Sequence, residues 1–327
     1  MPHAMILISS VVTRGESPLK KLDDAGWTYD QIPRGMHSSE DELIELIADA
    51  DATVAGGEPY TRRVLEASPH LKHIARWGVG FDRVDIPAAT DLGVLVTTTQ
   101  GANDWGVADH AVALMLGLGH VLVESDREIR ASRWGRHVGS DLWRKTVGII
   151  GLGRIGKGVA QRVSGFETRI LAYEPYAVDE AFCAKYGVQV TSLEQVLSES
   201  DYVTLHLPAS AETRHFLNAE RLALMKPTAY VVNTARGALI DEDALHAALT
   251  GNAIAGAGLD VREQEPSTDT RFHDFPNVIL TSHIAGITHE TVSAMSSMAI
   301  DSILASAAGT PPHGLLNPDA WERRRRS

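Results

Sequence analysis

The sequence predicts an α/β protein of two domains with parallel sheets, the first domain being discontinuous. Three observations carry this. Short β-branched runs alternate with helical patterns over most of the chain, the pattern of a parallel sheet covered by helices. A second, complete series of the same kind starts at Thr146. The last helical pattern, Glu290 to Ala308, follows that series and has no place left within it, so it is expected to return to the first domain. The expected division is residues 1–101 with 288–327 as one domain and 102–287 as the other, with a cleft between them. The 327 residues also exceed the size at which a single core usually stops growing, about 250–300 residues.

In the first series, Met5 to Ser9 reads as a strand, Pro18 to Ala25 as a helix and Trp27 to Ile32 as a second strand. Ser39 followed by Glu42 is a capping-box signature ahead of Leu43, Ile44, Leu46 and Ile47, so a helix starts there. Ala52 to Ala55, Leu71 to Arg76 and Val94 to Thr97 supply further strands. Val107, Ala111, Leu114, Leu118 and Val121 then follow helical spacing in a nearly all-apolar segment, which must be a buried helix and is expected between the domains. The second series has strands near Val147 to Ile150, Arg169 to Tyr173, Tyr202 to Leu205, Ala229 to Val232, Ile254 to Gly258 and Val278 to Leu280.

Composition removes several function classes. Thirty basic against 42 acidic residues give a net charge of −12, which opposes sequence-independent binding to nucleic acid. One cysteine, Cys183, excludes a disulfide scaffold and a thiolate metal site, so no metal is expected and a reducing cytoplasm is the default compartment. The start of the chain lacks the basic and long apolar regions of a signal peptide. The longest apolar-rich run, Ala111 to Val123, is shorter than the ~20 residues that span a bilayer, so no membrane partner is expected. The basic block Arg323 to Arg326 reads as a solvated tail or a cloning remnant.

The chemistry begins at Val147-Gly-Ile-Ile-Gly151-Leu-Gly153-Arg-Ile-Gly156, a glycine-rich turn between a buried strand and a helix. Gly151 permits the tight turn, Gly153 lets the backbone approach a pyrophosphate, and Gly156 lets helix and strand pack closely. The next strand ends in Glu174, 23 residues after Gly151, near the ~20 expected of the acid that binds the adenosine ribose. This is a Rossmann-like dinucleotide site. Gly151 to Lys157 also reads as the start of a nucleotide-hydrolysing phosphate loop, but Gly158 stands where that loop needs Ser or Thr for magnesium. Three later segments place ionisable groups just past strand ends: Arg236 in Asn-Thr-Ala-Arg-Gly, Asp260 and Glu265 after Gly258-Leu259, and His283 in Ser-His-Ile-Ala-Gly. Singly, Arg236 could be a surface ion pair, Glu265 a solvated acid and His283 a satisfied core histidine. Together, in one domain and all past strand ends, they form a coherent site that includes a candidate proton donor for a nicotinamide enzyme.

The order Gly-Leu-Gly-Arg-Ile-Gly, Tyr-Glu-Pro, Leu-His-Leu-Pro at 205–208, Asn-Thr-Ala-Arg-Gly, Leu-Asp-Val and Ser-His-Ile-Ala-Gly resembles the D-isomer-specific 2-hydroxyacid dehydrogenases. That family includes D-3-phosphoglycerate dehydrogenase and the glyoxylate and hydroxypyruvate reductases. Arg76-Trp-Gly-Val-Gly80-Phe-Asp82 and Gly101-Ala-Asn103 extend the match over nearly the whole chain. The resemblance implies an NAD-dependent homodimeric enzyme that interconverts a small D-2-hydroxy acid and its 2-oxo acid. In it Arg236 binds the substrate carboxylate and carbonyl, His283 is the acid-base, and Glu265 pairs with His283. The backbone of Val79 and Gly80, with Arg76 nearby, holds the carboxylate. Beside the glycines and Glu174, the resemblance assigns Arg154, Ile155, His206, Pro208, Thr213, Thr234 and Asp260 to the cofactor, Asp260 contacting the nicotinamide amide.

Departures narrow the reading. Thr99-Gln100-Gly101 stands where the family usually has proline before glycine, and Asp109 replaces a common Glu. Trp77 and Trp105 are read as core packing. Glu174 replaces the usual Asp and should still repel the 2'-phosphate of NADP. The Gly56-Gly57-Glu58 loop carries no arginine for a substrate phosphate, which favours glyoxylate or hydroxypyruvate over 3-phosphohydroxypyruvate, although Arg76 could swing toward a distal anion. D-3-phosphoglycerate dehydrogenase remains the alternative within the family, and a dinucleotide-sensing co-repressor-like binding protein the alternative outside enzymes. A short-chain dehydrogenase needs Tyr four residues before Lys, and none of the seven tyrosines qualifies.

Overall fold

Every β-branched run named above becomes a strand that pairs parallel to its neighbours, and the computed structural model of the chain, which describes residues 1–8, 17–32 and 39–325, contains two such sheets. The chain divides into two compact units, Met1–Asn103 with Gly286–Ser327, and Asp104–Ala285. In the first unit the strands are β1 (His3–Ile6), β2 (Thr28–Gln31), β3 (Ala52–Ala55), β4 (His73–Arg76) and β5 (Leu95–Thr98), in the order β2-β1-β3-β4-β5. Strands β3, β4 and β5 are buried along their whole length, as expected for strands covered on both faces. Their helices are α1 (Lys20–Asp24), α2 (Glu40–Leu46), α3 (Arg62–Ala67) and α4 (Ile86–Asp91). The capping box forms: Ser39 Oγ accepts from Glu42 N at 3.3 Å and Glu42 Oε2 accepts from Ser39 N at 2.9 Å.

The second unit opens with α5 (Asp104–Gly119) and α6 (Leu122–Arg130). Its sheet has the order β12-β11-β10-β9-β6-β7-β8, built from β6 (Thr146–Ile150), β7 (Arg169–Tyr173), β8 (Val188–Val190), β9 (Tyr202–Leu205), β10 (Tyr230–Asn233), β11 (Gly256–Leu259) and β12 (Val278–Leu280). The helices α7 (Arg154–Ser164), α8 (Glu180–Tyr186), α9 (Leu193–Glu199), α10 (Ala219–Leu222) and α11 (Glu242–Thr250) connect the strands. The apolar α5 is core to this unit, packing on α7 and on β10, β11 and β12. The long α12 (His289–Ala307) belongs to the first unit, where Met295, Ala299, Ile300 and Ile303 are buried and the helix lies against β3, β4 and β5. The short α13 (Ala320–Arg323) closes the chain beside α4. Among the described residues no single helix is long and apolar enough to cross a membrane.

Several expectations are corrected. The first strand covers His3–Ile6 rather than Met5 to Ser9, and Ser9 lies outside the described residues. Trp105 is 56% exposed, with the Arg162 guanidinium 5.0 Å from its ring, and is not core. Trp77 is half-buried and its indole donates to Ser296 Oγ at 3.0 Å. Arg323 is exposed as expected, but Arg324 and Arg325 are not part of a solvated tail. Arg324 lies 3.8 Å over Trp321, and Arg325 donates to Leu92 O, Ser68 O and Leu71 O at 2.9, 2.7 and 2.8 Å. Ser68 and Leu92 are the C-caps of α3 and α4, so one cation serves two helix ends where the dipole is negative. Arg326 lies outside the described residues.

Candidate active site

The sheet of the second unit reverses its winding at β6, and the carboxyl ends of β6 and β9 flank the point where such a sheet offers room for a ligand. The chain leaves β6 through Gly151, whose φ is +94° and whose added Cβ would stand 2.8 Å from His206 O. Both conformation and space exclude a side chain. Gly153 is the N-cap of the 11-residue α7 without a side-chain cap, and nothing lies within 4 Å of its Cβ position. The first-turn N–H groups are therefore open to an anion. Gly156 packs against the Gly151 backbone, which fixes the approach of helix to strand. Arg154 donates to Asp104 at 2.6 Å, and Ile155 is half-buried behind it.

Glu174, at the end of β7, reaches back to the glycine turn. Its Oε2 accepts from Leu152 N at 2.8 Å and its Oε1 from Tyr176 N at 3.1 Å. After β9, Thr213 Oγ1 donates to Pro208 O at 2.7 Å and accepts from Ser210 N at 2.8 Å, which folds this loop on itself. Burial pushes the His206 imidazole down to about 3, so it is neutral, and its Nε2 lies 3.0 Å from Thr204 Oγ1. His206 Nδ1 and Thr234 Oγ1 are buried without a hydrogen-bond partner among the described residues. A glycine cradle, an uncapped helix N-terminus, a carboxylate at the next strand end and orphaned buried polar atoms fit a dinucleotide.

The reactive groups stand at the carboxyl ends of β10, β11 and β12, three neighbouring strands. Arg236 follows β10, and Asn233 shapes its turn by accepting from Ala235 N at 3.0 Å and donating to Arg236 O at 2.8 Å. Gly237 follows because a Cβ there would overlap the backbone of Arg262 and Glu263. Glu265 and His283 come together: Oε2 lies 2.7 Å from Nδ1, while Oε1 accepts from Arg262 N at 3.0 Å. His283 has a φ of +56°, a left-handed conformation rare outside glycine.

Asp260 is what holds that conformation. Its Oδ1 accepts from Thr281 Oγ1 at 2.6 Å and Ile284 N at 2.9 Å, its Oδ2 from Ala285 N at 2.9 Å, and its carbonyl from His283 N at 2.7 Å. The side chain is buried, so in this structure the carboxylate faces the segment that carries His283. His110 on α5 joins this network, 3.1 Å from Thr281 Oγ1. The loop that carries Glu265 is anchored by Arg262, which donates to both oxygens of Glu242 at 2.9 Å, and Glu263 N donates to the same carboxylate at 2.8 Å. Sequence reasoning missed His110, Glu242 and Arg262, because nothing in local spacing relates a helix residue to a loop some 20 or more positions away.

In the first unit the Trp77-Gly78-Val79-Gly80 strap follows β4. Gly78 N donates to Thr99 Oγ1 at 2.8 Å and Thr99 N to Gly78 O at 3.1 Å, which gives the unusual Thr99 its role. Arg76 is only 8% exposed and its Nε donates to Gly80 O at 3.0 Å. Glu58, in the loop that carries no arginine, is fully buried.

The family model of the D-isomer specific 2-hydroxyacid dehydrogenase NAD binding domain matches residues 112–285. The chain belongs to this family. It is accordingly an NAD(P)-dependent oxidoreductase that interconverts 2-hydroxy and 2-oxo acids. A glyoxylate reductase of Korarchaeum cryptofilum is 37% identical, with 98% of this chain and 97% of the relative covered. A D-3-phosphoglycerate dehydrogenase of Synechocystis is 36% identical over 88% of this chain, which spans only 53% of that relative. The solved NADPH-dependent glyoxylate/hydroxypyruvate reductase of Sinorhizobium meliloti, in complex with NADP and malonate, has a TM-score of 0.83 and 27% identity, covering 100% of this chain and 99% of the other.

Proposed function

We propose that this dehydrogenase reduces a small 2-oxo acid with an uncharged tail, such as glyoxylate or hydroxypyruvate, in a reaction that uses Arg236, His283 and Glu265. The 2.7 Å contact between His283 Nδ1 and Glu265, beside the strand that presents Arg236, carries this reading. The bound dinucleotide supplies a hydride to the carbonyl carbon. Arg236 offers a planar fork to the carboxylate and carbonyl oxygens. Glu265 occupies Nδ1, which leaves Nε2 to give a proton to the carbonyl oxygen in reduction and to take it back in oxidation. The amides of Val79 and Gly80 bind the carboxylate as a second anchor. Glu174 accepts the ribose hydroxyls and repels a 2'-phosphate, so NAD(H) is preferred over NADP(H).

The surroundings of Arg76 favour the uncharged tail: its Nε is held by Gly80 O, and the nearby Glu58 offsets its charge. We further infer a cytoplasmic homodimer, since the segment from α6 onward exposes Leu122, Val123, Ile129, Trp134, Val138 and Trp143. Steady-state NADH consumption tests the substrate assignment: efficiency should be highest with glyoxylate or hydroxypyruvate and lower with NADPH. Higher efficiency with 3-phosphohydroxypyruvate would restore the phosphoglycerate reading, and NADH-induced thermal stabilisation without turnover would favour a sensor. His283→Ala should lower kcat on the order of 10²–10⁴-fold, whereas Arg236→Ala should raise KM as well.

A further inference from the structure

Glu58 has no place in the chemistry above, yet it is 0% exposed and both carboxylate oxygens are buried without a hydrogen-bond partner among the described residues. It follows the carboxyl end of β3, next to the carboxyl end of β4 where Arg76 sits. The groups that face it are two cations, Arg76 and Arg83, the backbone amides of Gly56 and Glu58 itself, and Tyr60, whose hydroxyl donates to Thr53 Oγ1 at 2.9 Å. A carboxylate buried in this way is an expensive residue to keep, and an apolar replacement often packs as well or better. Its retention therefore calls for a task.

The task lies one bond away. Arg76 holds Gly80 O at 3.0 Å, while Thr99 holds Gly78 through two hydrogen bonds of 2.8 and 3.1 Å. The strap is thereby fixed on both sides of Val79, and only the Arg76 side depends on the position of a charged, flexible side chain. We propose that Glu58 is a positioning residue for substrate binding: its charge holds the Arg76 guanidinium in place, and Arg76 in turn sets the Val79–Gly80 amides that receive the substrate carboxylate. The inference rests on the reading of that strap as a carboxylate anchor. Burial raises the Glu58 carboxyl to about 7, with its own backbone amide, Arg76, the Gly56 amide and Arg83 pulling the other way, so the hold weakens as pH falls through neutrality.

The test uses the full chain and Glu58→Gln, which keeps the shape and removes the charge. Amide hydrogen exchange of the 77–81 segment should accelerate about tenfold in the variant at pH 8. KM for the best 2-oxo acid should rise by a similar factor, with kcat within about twofold and NADH affinity unchanged. In the parent, KM should climb below pH 7, and in Glu58→Gln it should stay level across that range. Unchanged exchange in 77–81 overturns the proposal whatever the kinetics show. Faster exchange in a protein that turns over no 2-oxo acid refutes the substrate reading and leaves the hold on the strap established.

Discussion

Removing the charge of Glu58 should make the protein more stable, and by an amount that depends on pH. In the folded chain this carboxyl keeps its proton up to about pH 7, against an ordinary value of 4.5. Between those values the folded state binds more protons than the unfolded state, so the contribution of this group is present below 4.5 and is lost as pH rises to 7. At about 1.4 kcal/mol per pH unit, the interval corresponds to about 3 kcal/mol. Glutamine mimics the protonated acid at every pH. Glu58→Gln should therefore exceed the parent by less than about 1 kcal/mol at pH 5 and by up to about 3 kcal/mol at pH 8. Urea unfolding followed by tryptophan fluorescence reads this, because three of the six tryptophans, Trp27, Trp77 and Trp321, belong to the first unit. If the gap between variant and parent were the same at pH 5 and pH 8, Glu58 would not titrate in this interval and the burial argument would be wrong.

Gly151→Ala should abolish measurable NADH binding, read as quenching of protein fluorescence, because the new methyl must take a φ of +94° and approach His206 O to 2.8 Å; retained affinity would show that the β6–α7 turn is not the pyrophosphate cradle. Arg325→Ala should destabilise the first unit by about 1–3 kcal/mol, since the C-cap carbonyls of α3 and α4 and the Leu71 carbonyl lose a cationic donor. A melting temperature equal to the parent's would return Arg325 to the role of a solvated tail.

What the sequence made legible is set by the range of the physics involved. Ser39 and Glu42 are three residues apart and form their capping box as read, and the β-branched runs become strands because both faces of a parallel sheet are buried. The elements that escaped notice lack that signal. Strand β8 is three residues long with only Val188 buried, and α6 buries none of its side chains. The same rule sorts the site. Glu265 and His283 read as members of one site because each lies past a strand end, while their pairing is implied by the family resemblance alone; the order of β11 and β12 is what brings them together. Glu58 could not be read correctly. In sequence it is an acid in a glycine loop, which is ordinarily a solvated position, and only the fold buries it near two arginines. Arg325 is the same case at the chain end: a run of like charges reads as solvated until helix ends supply carbonyls for one of its members. In both places a charged residue departs from its usual environment where long-range packing gives it a partner. The departures separate by what the partner does, since Arg325 serves stability at α3 and α4 whereas Glu58 is held at a cost to stability beside the strap proposed to bind substrate. That difference in sign, measurable in two single variants, distinguishes a structural buried charge from a functional one in this chain.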